Sequence, residues 1–229
     1  IIDVSDPLAP YQRGVLTRQG TAYPLAMAES SDGNTLYVAA YTNFLSIDVS
    51  DKDNPALNYS IVLNDSDDSS LNAWDIVLSD DEQTAFLASG SYVKIYDISD
   101  PLQAVLITDF VSSGDNDDDG TTDGTARSLR ISADGNTLYV ANGGEGTRII
   151  DISDVSSPQL MGYVTSDNFV FGLAMSADGT MIYSSSSGEL QTINVTDPQN
   201  PELIRAIPSV RDSWRLAASN DNKYVFASD

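Results

Sequence analysis

The 229-residue sequence contains no histidine and no cysteine. Together these absences remove disulfides, thiolate nucleophiles, Cys/His zinc sites and every Ser-His-Asp or Cys-His catalytic apparatus. Lysine is scarce, occurring only at Lys52, Lys94 and Lys223. No apolar run approaches the ~20 residues that a membrane-crossing helix needs. No signal peptide is evident, and no helical hydrophobic period is sustained anywhere. The chain opens on "IIDVSDP", which reads as the end of a strand, so an excerpt or a processed chain is expected.

What the sequence has in excess is acid. It carries 34 Asp and Glu against 11 Lys and Arg, a net charge of −23. Such a surface repels phosphate backbones and anionic bilayers, so neither nucleic acid nor membrane is an expected partner. A metal would meet oxygen ligands alone, which suits Ca²⁺ or Mg²⁺. A composition that is 41% hydrophobic supplies a buried core. An acidic, lysine-poor chain also suits a salty or calcium-rich setting.

Two phrases recur in step. One is "IIDVSDPLAP" (1–10), "SIDVSDKDNP" (46–55), "IYDISDPLQA" (95–104), "IIDISDVSSP" (149–158) and "TINVTDPQNP" (192–201). The other is "SSDGNTLYVA", "SDDEQTAFLA", "SADGNTLYVA", "SADGTMIYSS" and "SNDNKYVFAS", beginning at Ser30, Ser79, Ser132, Ser176 and Ser219. From each of the first four serines to the next Asp or Asn of the first phrase is 18 or 19 residues. Each unit reads as four short strands: an apolar stretch, a D-G hairpin into "TLYVA", a third strand such as "RIIDI", and a fourth such as "QLMGYV". Four antiparallel strands every ~45 residues is the pattern of a β-propeller blade.

The "IIDVSDP…P" phrase resembles the LVIVD repeat of bacterial and archaeal surface propellers, and "SADGNTLYVAN" resembles the related YVTN-type repeat. The resemblance spans essentially the whole chain. It implies one all-β propeller domain over 1–229, secreted or on the cell surface, with neighbouring domains in a larger surface protein. It implies no reaction, because the family has no common catalytic motif. The ring has five blades if the N-terminal strands complete the last blade, and more if the chain is cut from a larger ring.

Residues copied in every blade are read as structural. The Asp, Ser and Pro make turns. Tyr37, Phe86, Tyr139 and Tyr183 are expected to pack between blades. Function is expected where the repeat breaks. All the length variation lies between the fourth strand of one blade and the first strand of the next, with acid-rich insertions at 64–70 and 113–125. The second contains "GDNDDDGTTDG", in which Asp115, Asp117, Asp119 and Asp123, with the Thr121 carbonyl, have calcium-loop spacing. The pattern resembles EF-hand-like loops and the calcium hairpins of integrin-type propellers. It departs from an EF-hand in carrying Ala126 at the twelfth position and in lacking flanking helices. Asp65, Asp67 or Asp68 are possible further donors. A solvated acidic loop is the competing reading, since clustered carboxylates repel without a cation.

Five residues before each serine stand Leu25, Trp74, Arg127, Phe171 and Trp214, with Asp75 and Arg215 following the two tryptophans. Aromatics with arginine at the mouth of a ring make a candidate binding surface. Trp74, Arg127, Phe171, Trp214 and Arg215 are therefore the ligand-face candidates, with inter-blade packing as the plainer alternative. Asn58, Asn64 and Asn194 lie in N-x-[ST] triplets, which are common by chance. The reading that follows is a non-enzymatic surface propeller, calcium-bound, that recognises a protein or glycan on its loop face. The alternatives are a carboxylate-based glycoside hydrolase or lyase and a structural spacer.

Overall fold

In the computed structural model, residues 1–17, 23–64, 71–112, 124–208 and 213–228 are described. The described residues form strands and turns without a helix. An N-terminal pair, β1 (Ile2–Asp3) and β2 (Tyr11–Gln12), precedes four complete blades. Blade 1 is β3 (Ala26–Glu29), β4 (Thr35–Ala40), β5 (Asn43–Asp48) and β6 (Ala56–Val62). Blade 2 is β7 (Ala73–Leu78), β8 (Thr84–Ser89), β9 (Tyr92–Asp100) and β10 (Gln103–Val111). Blade 3 is β11 (Ser128–Ile131), β12 (Thr137–Ala141), β13 (Thr147–Asp151) and β14 (Gln159–Val164). Blade 4 is β15 (Val170–Met175), β16 (Met181–Ser186), β17 (Glu189–Asn194) and β18 (Glu202–Pro208). The last pair is β19 (Arg215–Ala218) and β20 (Val225–Ser228). Each blade is an antiparallel meander in sequence order. The inner strands β3, β7, β11, β15 and β19 pack side by side, each against the next.

The middle strands explain why "TLYVA" shows no polar alternation. A strand inside a blade has another blade against each face, so both faces are apolar. β8 and β12 are buried along their whole length, whereas the outer strand β18 is exposed throughout. The core is thus a series of inter-blade layers. Tyr37, Phe44, Leu87 and Tyr96 join blades 1 and 2. Phe86, Ile95, Leu129 and Ile150 join blades 2 and 3. Tyr139, Ile149, Leu173 and Ile182 join blades 3 and 4. Phe44 is the hub of the first layer, with ring centroids 5.1 Å from Tyr96 and 5.7 Å from Tyr59. Burial raises the Tyr96 hydroxyl to about 12.

The repeated polar residues build turns, as their repetition suggested. Asp3, Asp48, Asp97, Asp151 and Asn194 each accept a hydrogen bond from the backbone N–H two residues on. In the inner hairpin the serine hydroxyl donates to the Asp two residues later and accepts from the N–H five residues later. The bonds are the same from Ser30, Ser79, Ser132, Ser176 and Ser219. The residue after that Asp has positive φ in every blade. Glycine takes it at Gly33, Gly135 and Gly179, and Glu82 (56°) and Asn222 (57°) replace it elsewhere. A side chain there costs roughly 1–2 kcal/mol. Both side chains are used across the blade boundary. Glu82 accepts the Ser31 N–H at 2.6 Å, and Asn222 accepts the Ala177 N–H at 2.7 Å.

The two-stranded pairs are half-blades. A Cβ on Gly162 of β14 would lie 2.5 Å from the Pro198 carbonyl of blade 4, and one on Gly14 would lie 2.7 Å from Pro55 of blade 1. The segment after β2 therefore approaches blade 1 as an outer strand approaches the next blade. β1–β2 is an outer half, braced by the Arg13–Asp53 ion pair at 2.7 Å, and β19–β20 is an inner half. No ladder joins β20 to β1 among the described residues. On the free face of blade 1, Met27, Leu36, Val38, Leu45 and Ile47 line an apolar cavity of about 400 Å³ together with Ile1 and Val15.

Candidate functional site

The mouth is built from the residues entering each inner strand. Trp74 and Phe171 are second residues of β7 and β15. Leu25, Arg127 and Trp214 immediately precede β3, β11 and β19. Backbone bonds fix these entries: Leu25 N–H donates to Ala39 at 2.9 Å, Arg127 N–H to Ala141 at 2.9 Å and Trp214 N–H to Ser228 at 3.0 Å. Propeller geometry then turns positions about fifty residues apart in sequence into neighbours around one axis.

The structure brings together all five ligand-face candidates and adds Phe169. Trp74 lies 6.5 Å from Trp214, Trp214 lies 4.9 Å from Phe171, and Phe171 lies 4.8 Å from Phe169, all between ring centroids. The Arg127 guanidinium lies 5.2 Å from the Phe169 centroid and 3.8 Å from that of Trp74. The five side chains close a loop. Trp214 is 49% exposed, so the loop is open to solvent at that residue, whereas Trp74 is partly buried against the core layer between blades 2 and 3. A cation over π-faces is stabilised by the ring quadrupoles.

Beside this loop lies a charged cluster centred on Asp75, which is buried. Asp75 accepts hydrogen bonds from the Ser128 hydroxyl and Leu129 N–H at 3.0 Å each, and from its neighbour Ile76 N–H at 3.1 Å. Arg215 reaches it at 3.2 Å, and Arg130 lies at 3.6 Å. Arg215 also donates to the carbonyl oxygens of Leu25 (2.8 Å) and Trp74 (3.1 Å), tying the fifth blade position to the first two. Burial lowers the pKa of Arg130, with Asp75 acting against it. Burial alone lowers that of Arg127. The Arg127 side chain has no hydrogen-bond or ion-pair partner among the described residues, and its Nε and Nη1 are buried without an acceptor.

Phe169 and Arg130 were not singled out in the sequence. A signal existed for Arg130. Two residues before each serine stand Ala28, Val77, Arg130, Ala174 and Ala217, and one charge breaks an apolar column. Four before stand Ala26, Asp75, Ser128, Gly172 and Arg215, and the three polar members of that column meet at Asp75.

The calcium-loop residues Asp115, Asp117, Asp119, Thr121 and Asp123 lie outside the described residues, as do Asp65, Asp67 and Asp68. Among the described residues no group of three or more acidic side chains converges in a metal-holding arrangement. The flanks of the 113–123 segment are well fixed. Ser112 donates to Ser91 and exchanges two 2.8 Å bonds with Asn142, and Ala126 N–H donates to Gly90 at 2.8 Å.

The LVIVD-repeat family model matches residues 30–62 and 123–166, parts of blades 1 and 3. No curated protein matches the sequence. Among solved structures the chain is similar to the Pseudomonas aeruginosa periplasmic gluconolactonase PpgL (TM-score 0.74, 16% identity, 89% of this chain and 62% of that one). It is similar to a protein from Lactobacillus plantarum (0.75, 15%, 90% and 64%). It is also similar to the β-propeller domain of Myceliophteria thermophila Cps50 (Swd1) (0.65, 14%, 85% and 64%). The chain spans a little under two thirds of the length of these structures. At such identities the likeness is one of fold. The chain carries LVIVD repeats and folds as a β-propeller.

Proposed function

We propose that this LVIVD-repeat propeller is a non-enzymatic recognition module, extracellular or on the cell surface, that binds a protein or glycan across the mouth of its ring. The observation that carries this reading is the closed loop of Trp74, Trp214, Phe171, Phe169 and Arg127, with Trp214 half exposed. Tryptophan and arginine are the side chains that dominate binding surfaces. They stand where the repeat's sequence differs from blade to blade.

Catalysis is the second reading, favoured by the likeness to a gluconolactonase. It would need a carboxylate free to take a proton. Asp75, at the centre of the mouth, is already engaged by four hydrogen-bond donors, which favours recognition. The site is tested by screening the protein on a glycan array and by affinity capture with purified surface proteins, each beside Trp214→Ala. Recognition at the mouth predicts signals that the variant loses. Signals that survive Trp214→Ala would place binding elsewhere.

Calcium is part of the proposal. The alternating Asp115, Asp117 and Asp119 with Asp123 offer carboxylates to one cation, and the fixed flanks at Ser112 and Ala126 reduce the ordering cost of binding. Calorimetric titration of Ca²⁺ into EDTA-stripped protein should show saturable binding that Asp117→Ala/Asp119→Ala abolishes. Silence at millimolar Ca²⁺ would leave the segment a solvated acidic loop and favour the spacer reading.

A further inference from the structure

Among the described residues, arginines outnumber carboxylates around Asp75 and Trp74. Three of the described cationic side chains stand here: Arg127, Arg130 and Arg215. Among the described residues one carboxylate, Asp75, is paired with them, and it pairs with Arg130 and Arg215. Arg127 is left over. It is half-buried and stacked on Trp74, with Nε and Nη1 enclosed without an acceptor, so a ligand meets only the outer edge of the guanidinium. A guanidinium taken out of water in this way carries a desolvation cost that π-faces only partly offset. The group that would offset the rest is an anion at its edge, held by charge-assisted hydrogen bonds.

Resting on the reading of the mouth as a recognition site, we infer that it takes a short saccharide carrying one carboxylate. The acid group sits against Arg127 and the apolar face of a sugar ring lies on Trp214. The flat, solvent-open indole offers its negative face to the polarised C–H groups of a pyranose. The anion is expected to be short and weakly charged, because the field of a −23 chain repels a polyanion. A polymer such as a heavily sulfated glycan would have to pay that repulsion along its length.

The test is tryptophan-fluorescence titration, supported by calorimetry, in calcium-containing buffer. The probes are glucuronate-, galacturonate- and sialate-terminated oligosaccharides, each beside its neutral counterpart ending in glucose or galactose or lacking the sialate. The expected result is saturable binding of at least one acidic member, about tenfold or more tighter than its neutral partner. Arg127→Ala should abolish the preference, and Arg127→Lys should restore it in part. Thermal melts report whether either variant is folded. If Arg127→Ala is not, the charge preference of the wild type and the loss of binding in Trp214→Ala, at an exposed position, carry the test. Binding of neutral and acidic members alike removes the anion and leaves recognition standing. Binding of an oligo-glutamate peptide in place of every saccharide overturns the sugar. No binding by any member overturns the inference, while signals on the array or from surface proteins that Trp214→Ala abolishes would still support the recognition reading.

Discussion

Each inner strand joins two ends that follow different rules. At its far end, the turns from Ser30, Ser79, Ser132, Ser176 and Ser219 make the same set of bonds. At its near end, five residues before those serines, the side chains are Leu25, Trp74, Arg127, Phe171 and Trp214, with three different chemistries at five equivalent places. The backbone geometry is shared, so stability alone would favour sameness at both ends. Repetition at the turns marks what every blade requires in order to fold. Divergence at the mouth marks where equivalent places have been given separate tasks, and those places are the ones that touch one another around the axis.

The largest expected effect acts on all the turns at once. Among the described residues, thirteen aspartates are held below the usual carboxylate range. In ten of them the leading cause is a hydrogen bond from a serine hydroxyl, as with Ser132 on Asp134. A carboxylate whose folded pKa is depressed adds stability above its unfolded value, near 3.9, and loses it as pH falls through the folded value. Self-repulsion of the −23 chain works the other way, easing as acid is added. The melting temperature should therefore hold or rise slightly from pH 7 toward about 5 and fall steeply below about 4. A melting temperature indifferent to pH between 5 and 2 would contradict the shared turn chemistry.

Next comes Asp75→Ala. It strands Arg130 and Arg215 beside a buried Ser128 hydroxyl. Both arginines keep access to water, so the cost is that of the buried donors left unpaired, about 1–3 kcal/mol. Urea unfolding should show that loss, and Asp75→Asn should recover part of it through the retained hydrogen bonds. A smaller effect, about 1 kcal/mol, is expected from Ser132→Ala, which removes one turn's donor and acceptor. The matching change at Ser79 or Ser176 should cost about the same. The smallest effect separates the two turns that lack glycine. Glu82→Gly loses the bond to Ser31 and gains relief at positive φ, so its net change should stay within about 1 kcal/mol. Glu82→Ala keeps the strain and loses the bond, and should be the less stable of the two.

Much of this was legible in the sequence because a repeat reports its own architecture. Two phrases spaced 18 or 19 residues apart can only be strands of one recurring unit, and at the shared aromatic place Tyr37, Phe86 and Tyr139 are buried while Tyr183 is half-buried. The candidates at the mouth were legible as departures from the repeat. Their contacts were not. Asp75 and Arg215 are 140 residues apart and meet because the ring curves back on itself. Phe169 lies outside the five-residue rule and enters through its neighbour Phe171. The bridges from Glu82 and Asn222 depend on a backbone angle that a side-chain pattern does not display.

The most direct test compares the two ends of the strand in one experiment. Ser132→Ala and Trp214→Ala are each measured for thermal stability and for binding on the same glycan array. The account predicts a double separation. Ser132→Ala should lower the melting temperature by about 2–4 °C and leave the array signals intact, while Trp214→Ala should remove the signals and leave the melting temperature nearly unchanged. Array signals lost on Ser132→Ala and kept on Trp214→Ala would contradict it.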